Sequence, residues 1–215
     1  MIDRATAPRL LAVALAVATA ALAAGCGFLR RPEVHHYALE PITPAAPAAA
    51  VAGPPLGVDA VELPPGLDRR EIVVRRADHR LDVRGTELWA ASLETMVLHT
   101  LAFDLAGRLP AGMVVLPGQA QPAGGMWAID VAFAELAAGP ERQVVLDARW
   151  TLRAPGAADL GGRARIVEPL ASLDSAEIAA GTSRALAALA DRIVAELAGA
   201  AGGGAPSAPA VEPAA

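Results

Sequence analysis

Two stretches of alternating residues, Trp127-Ala-Ile-Asp-Val-Ala-Phe-Ala134 and Val144-Val-Leu-Asp-Ala-Arg-Trp-Thr-Leu-Arg153, decide the fold. In both, apolar side chains occupy every second position, which is the period of a strand with one covered face. The segment Ala137-Ala-Gly-Pro140 between them predicts an antiparallel hairpin. Residues 161–168 predict a third strand, so three consecutive antiparallel strands are expected.

Shorter strands are predicted before and within this region. Their expected positions are 35–39, 56–63, 71–76, 81–84 and 113–116. Pro64 and Gly66 stop the second of them, because proline cannot donate a ladder hydrogen bond. Gly85 is expected to end the fourth.

Two helices are predicted from apolar residues that recur at spacings of three and four. The first runs from Glu87 to about Arg108, with Trp89 at its start. The second begins at Asp174 and ends near Gly199, which is a typical residue after a helix end. We therefore expect an α+β fold in one domain, with a mixed or antiparallel sheet of about five to seven strands packed by two long helices.

Composition divides the chain into four parts. Residues 1–25 predict a signal peptide, and residues 26–55 predict a leader that ends in a Pro- and Ala-rich linker from 41 to 55. Residues 56–198 form the expected folded domain. Residues 199–215 are Ala, Gly and Pro with almost no charge, which predicts a disordered tail.

The N-terminal region has the architecture of a secretory signal. Arg4 and Arg9 precede an apolar run from 10 to 22, which is too short for a comfortable membrane span. The run leads into Leu22-Ala-Ala-Gly-Cys26, which resembles the bacterial lipobox and contains the only cysteine of the chain. That resemblance implies lipidation of Cys26, whereas the alternative is an ordinary small residue of an unlipidated signal peptide. Gly27 supplies no aspartate after the cysteine, which implies the periplasmic face of the outer membrane.

Charge and residue pattern argue against several function classes. A net charge of −5 offers no basic field for nucleic acid. The sequence has no Gly-x-Ser-x-Gly turn, and neither His79 nor His99 has a partner at metal-ligand spacing. Asp130 and Asp147 could face each other across the hairpin as an acid and base pair, but surface charges are the preferred interpretation. We expect no catalytic site, cofactor or metal.

Two features could contact other proteins. Pro64–Glu71 is a proline-stiffened turn with charges of both signs, which suits either a protein contact or a solvated turn. The first helix has a wide apolar stripe, for which burial in the core is the preferred interpretation and a homo-oligomer contact the alternative.

The order of the motifs resembles one known family. Leu56–Arg76 combines a strand ending in Val61-Glu-Leu-Pro64, then Leu67-Asp-Arg69, then an Ile-Val strand. Trp89 and the later strand Leu146–Leu152 follow in the matching order. Together they resemble the ABC-type transport auxiliary lipoproteins, the PqiC-like family, over residues 37–197.

This resemblance implies a non-catalytic function. Members are expected to work with a mammalian-cell-entry (MCE) domain protein and an ABC transporter permease and ATPase, moving lipids or other hydrophobic molecules between inner and outer membranes. The chain would be the docking piece, with Leu67, Asp68, Arg69 and Arg70 as partner contacts. A general envelope-assembly scaffold is the alternative, and a hydrolase with an unrecognised site is a distant third.

Overall fold

The computed structural model describes residues 32–44, 51, 53–156 and 158–202, and those of them from His35 onward form a compact unit. The strands are β1 (His35–Tyr37), β2 (Leu56–Glu62), β3 (Glu71–Arg75), β4 (Leu81–Trp89), β5 (Trp127–Gly139), β6 (Gln143–Arg153) and β7 (Leu160–Pro169). The helices are α1 (Leu93–Arg108) and α2 (Ser175–Gly202).

The long strand β5 lies at the centre of the sheet. The strand order is β1-β4-β3-β5-β6-β7, and β2 also pairs with β5. β2 runs parallel to the first half of β5 and β3 runs parallel to its second half, so both occupy the same edge. The connection from 63 to 70 therefore leaves this edge of β5 and returns to it further along.

The predicted meander is confirmed. β5 and β6 pair antiparallel from Ala128↔Arg153 to Gly139↔Gln143, and β7 pairs antiparallel with β6. The hairpin is tighter than expected, because β5 continues to Gly139 and only residues 140–142 form the turn. Arg142 has a φ of 53° there.

A bulge in β5 changes which side chains face the core. The register shifts between Phe133 and Glu135, so Val131 and Phe133 point to the core before it and Leu136 after it. One extra residue reverses the alternation of a strand. The suggested pairing of Asp130 with Asp147 is wrong, because the register of the hairpin places Asp130 opposite Thr151 and Asp147 opposite Glu135.

The fold class is confirmed as a single α+β domain with a seven-stranded mixed sheet and two helices in the described residues. α1 packs against β2, and α2 packs against β6 and β7, with the helices in contact with each other. Large fully buried side chains include Trp150 on the sheet, Leu101 on α1 and Leu189 on α2. The apolar stripe of α1 is thus mostly core, as preferred above.

The predicted start of the first helix is wrong. β4 passes through Gly85 and ends at Trp89, which pairs with Tyr37 of β1 and donates its backbone N–H to the carbonyl of Arg70 at 2.6 Å. The helix begins only after this strand, where the Ser92 side chain accepts the N–H of Thr95 as an N-cap.

Two other predicted boundaries also differ. Residues 113–116 do not form a strand of the sheet; Val114 makes only an isolated parallel bridge with Leu56. α2 continues through Gly199 to Gly202, so Gly199 does not end it. The later residues of the predicted tail lie outside the described ones.

The first residues of the predicted linker, together with those just before it, contact both helices. We call residues 38–44 the N-terminal strap. The Glu40 N–H donates to Ser183 Oγ of α2 at 3.0 Å, and the Ile42 N–H donates to Asp104 Oδ1 of α1 at 2.7 Å. Val51, further along, is buried. This proline-rich stretch therefore holds side chains of the core as well as exposed ones.

Candidate docking surface

One face of the sheet is not covered by the helices, and we call it the open face. Its apolar side chains form a row across five strands, since opposite residues of neighbouring strands share a face. The row consists of Val83, Val73, Ala137, Val145 and Val167. Both ends are accessible, with Val83 39% and Val167 49% exposed. The middle is covered.

Leu67 is the residue that covers the middle of the apolar row. Leu67 forms a small buried cluster with Val73 and Ala137, separate from the main core. Its N–H donates to the carbonyl of Pro64 at 3.1 Å, which closes a turn with Gly66 at a φ of 85°. Proline followed by a glycine at positive φ is the pattern of a type II turn. The sequence thus fixes the loop and inserts one leucine into the apolar row.

The other predicted contact residues point outward. Asp68, Arg69 and Arg70 are exposed, and Arg69 Nε lies 3.0 Å from Glu71 Oε2. The backbone carbonyl of Arg70 accepts the hydrogen bond from Trp89, which fixes the end of the loop. Leu67 therefore holds the loop against the sheet, and the three charged residues are available to a partner.

Beside the apolar row lies a network of ion pairs. Glu135 and Asp147 are directly opposite each other on β5 and β6. Arg163 binds Asp147 with two bonds, Nε to Oδ1 at 2.9 Å and Nη2 to Oδ2 at 2.7 Å. Arg75 lies 2.6 Å from Glu135, and Arg165 lies 3.5 Å from each carboxylate. Two neighbouring carboxylates are thus neutralised by three arginines.

The carboxylates of this network are mostly buried, whereas the arginine side chains that bind them are exposed. The Asp147 side chain is 9% exposed, whereas that of Arg163 is 64% exposed. The hydrogen bonds from Arg163 hold the pKa of the Asp147 carboxyl below its usual value, and those same bonds raise the pKa of the Arg163 guanidinium. Both groups therefore stay charged through the neutral range, and the open face presents mainly guanidinium groups.

A buried polar cluster holds the strap, and sequence reasoning missed it. Arg108 donates to the Ile42 carbonyl at 3.0 Å and to Asp191 Oδ1 at 2.5 Å, and it lies 3.4 Å from Asp104 Oδ1. Burial raises the pKa of Asp104 to about 6. Its Oδ2 atom is buried without a hydrogen-bond partner among the described residues. The spacing of Asp104 and Arg108 by four positions on a predicted helix was the available signal.

The remaining predicted residues do not assemble a reactive centre. Asp130 pairs with Thr151 and binds Arg153 at 2.7 Å, far along the strand from Asp147. His79, in the turn between β3 and β4, and His99, on α1, are both exposed. Within the described residues, no three His, Cys, Asp or Glu side chains are close enough to hold a metal. Cys26 lies outside the described residues.

A membrane-spanning helix needs about 20 predominantly apolar residues. Neither described helix has the required combination of length and apolar character.

Comparison with known proteins identifies the family. The family model for the ABC-type transport auxiliary lipoprotein component matches residues 37–194, which is most of the chain. The chain belongs to this family, and the resemblance drawn from the sequence is confirmed. A family of auxiliary lipoproteins places the chain in the cell envelope and associates it with an ABC transport system.

Solved structures share the fold. A crystal structure of an uncharacterized protein has a TM-score of 0.65 and 18% identity, and the match covers 77% of this chain and 99% of that one. A DUF330 protein from Xanthomonas campestris has a TM-score of 0.52 and 17% identity, with 75% and 92% covered. No curated protein gives a significant match.

Proposed function

We propose that the chain is a non-catalytic docking subunit of an MCE-type ABC transport system that moves lipids or other hydrophobic compounds between the inner and outer membranes. Its partners are the MCE-domain protein and, through it, the permease and ATPase. Acylated Cys26 holds it on the periplasmic face of the outer membrane.

The observation that carries this proposal is the fixed loop on the open face. A leucine anchored in an apolar row holds Asp68, Arg69 and Arg70 in one exposed position. A surface whose conformation is already set loses little entropy on binding, which favours recognition of a partner. Most of the other face of the sheet is occupied by the two helices, so the open face is the broad surface left for contact.

The anchor sets where this surface operates. His35, the first residue of β1, lies nine positions after Cys26. An extended chain covers at most about 3.6 Å per residue, so the tether reaches about 30 Å. One acyl chain binds a membrane only marginally, and several make a stable anchor. The domain is therefore held close to the membrane, where a partner spanning the periplasm would arrive.

Isolation of the tagged, full-length lipoprotein from bacterial envelopes tests the proposal. We expect the MCE-domain protein encoded beside an ABC permease and ATPase to co-purify with it, and to do so less with Asp68, Arg69 and Arg70 all changed to Ala. Cell-wall or assembly proteins in place of the MCE-domain protein would instead support the general scaffolding function. A gene without such neighbours, with no MCE-domain protein recovered, would contradict the proposal.

A further inference from the structure

We infer that the open face binds an acidic segment of the partner protein, with carboxylates on its arginines and an apolar side chain on its valine row. The inference rests on the proposed docking function and names the partner's chemistry. Around the Glu135 and Asp147 pair lie four arginines of the same face, which are Arg75 of β3, Arg149 of β6, and Arg163 and Arg165 of β7. Four arginines and two carboxylates leave this region with a charge of +2, whereas the chain as a whole carries −5.

One of these arginines has no carboxylate of its own. Arg149 is exposed and makes no ion pair with any residue that the structure describes, although it lines one depression with Glu62 and Asp130. It lies directly opposite Arg163 in the ladder. Like charges directly opposite each other on one face are destabilising, and an anion between them removes that repulsion. The Arg149 and Arg163 pair is thus the position at which a partner's carboxylate binds most favourably.

The guanidinium groups also retain unused donors. Each guanidinium has five N–H donors, and its planar fork suits a carboxylate. Arg165 lies 3.5 Å from both acids, outside good hydrogen-bond distance, and its side chain is 57% exposed. A partner carboxylate can therefore bind Arg165 without displacing a strong bond.

The open face also offers an apolar side chain to a partner, and its area suits a protein contact. Val167 is exposed at the end of the apolar row, two positions from Arg165 on the same strand. Three strands of about ten residues span about 33 Å by about 14 Å at ordinary strand spacings. The loop around Leu67 enlarges this area towards the roughly 800 Å² that each partner contributes to a stable protein interface.

A protein fits this surface better than a membrane does. The neighbouring half of the open face carries Asp59, Glu62 and Asp130, with Arg153 bound to two of them. A plane of lipid phosphates laid on the whole face would meet these carboxylates as well as the arginines. A protein segment can place its carboxylates over Arg149 and Arg163 alone.

Charge reversal at one exposed arginine tests the inference. The full-length protein in detergent is compared as wild type, Arg149→Glu and Arg192→Glu, the last being an exposed arginine of α2 with no ion pair among the described residues. The Kd for the MCE-domain protein is measured at several salt concentrations. We expect Arg149→Glu to weaken binding at least about tenfold and Arg192→Glu to leave it within about twofold. Arg149→Ala, with the fold checked by circular dichroism, replaces the reversal if that variant misfolds.

A second measurement uses a defined probe. A ten-residue glutamate peptide is titrated into the wild type, and we expect backbone NMR shifts centred on β6 and β7 that Arg149→Glu abolishes. Wild-type partner binding with no difference between the two reversals, or peptide shifts confined to the helices, would overturn this inference and leave the proposed function intact. Loss of all partner binding by the wild type would overturn both. Binding of the face to phosphatidylethanolamine and phosphatidylglycerol vesicles, without peptide binding, would assign it to the membrane instead.

Discussion

Leu67 packs on Val73 on the face of the sheet opposite the helices, which ties the loop between β2 and β3 to the strand that follows it. The sequence of the loop is mostly polar, yet the position of the loop depends on this apolar contact. A partner that binds Asp68, Arg69 and Arg70 therefore depends on a residue that it does not touch.

Leu67→Ala should weaken both the loop and partner binding. Removing a buried leucine side chain costs about 2 kcal/mol or somewhat more, and we expect the free energy of unfolding to fall by about that amount in urea denaturation. Val167→Ala, which changes an exposed residue of the same apolar row, should change it by less than about 0.5 kcal/mol. Equal effects of the two substitutions would show that Leu67 does not anchor the loop.

Gly66→Ala should destabilise the loop through backbone conformation alone. Gly66 has a φ of 85°, and an added Cβ there would meet no atom within 4 Å. A side chain at positive φ costs about 1 kcal/mol, so we expect a loss near that value. Gly85→Ala is the matched control, because its Cβ also meets no atom and its φ is not positive. If thermal unfolding showed the same change for both, the turn would not have the assigned geometry.

Asp104 should make stability depend on pH. Its pKa is raised by burial to about 6 in the folded state, against about 3.9 for an unfolded aspartate. The folded state thus holds this proton more tightly, so the contribution is complete below about pH 4 and is lost as pH rises through about 6. Two units of pKa correspond to at most about 3 kcal/mol.

Urea denaturation of wild type and Asp104→Asn between about pH 4 and pH 8 measures this effect. Carboxylates with lowered pKa values, such as Asp147, contribute equally to both proteins and cancel in the difference. We expect the Asp104→Asn variant to gain stability relative to wild type as pH rises, because its side chain carries no charge to bury. A difference independent of pH would mean that Asp104 titrates normally.

Cys26→Ala should remove the anchor and leave the fold intact. Cys26 lies before the described domain, and no other cysteine exists in the chain. Fractionation should move the protein from the membrane to the periplasm, with loss of transport function. Full activity of the soluble form would contradict the requirement for an anchor.

The alternation of apolar and polar residues predicted the strands best where the two faces of a strand differ in polarity. β5 and β6 alternate over most of their length and lie at the predicted positions, except that β5 continues to Gly139 through part of the predicted turn. Nothing in the sequence indicated the bulge after Phe133. One inserted residue hardly changes the composition of the strand, although it reverses which face of the sheet each later side chain occupies. That reversal is why Asp147 meets Glu135.

Long-range contacts explain most other differences. Trp89 fits a helical spacing with Leu93, but pairing with Tyr37, which is distant in sequence, keeps it in a strand. From the sequence alone Leu67 belongs to a polar turn, because Ala137, which it contacts in the fold, is likewise far from it along the chain. The Asp104 cluster depends on Asp191 from the other helix. Sequence reasoning located the loop and missed what holds it.

Photo-crosslinking from the loop tests the central claim most directly. A benzoylphenylalanine placed at Arg69 in the full-length, membrane-anchored protein is irradiated in living cells, and the same substitution at Arg192 on α2 is the control. The docking account predicts a crosslink to the MCE-domain protein from position 69 and none from position 192. A crosslink from position 192 alone, or none from position 69 in cells that contain the intact transport system, would contradict it.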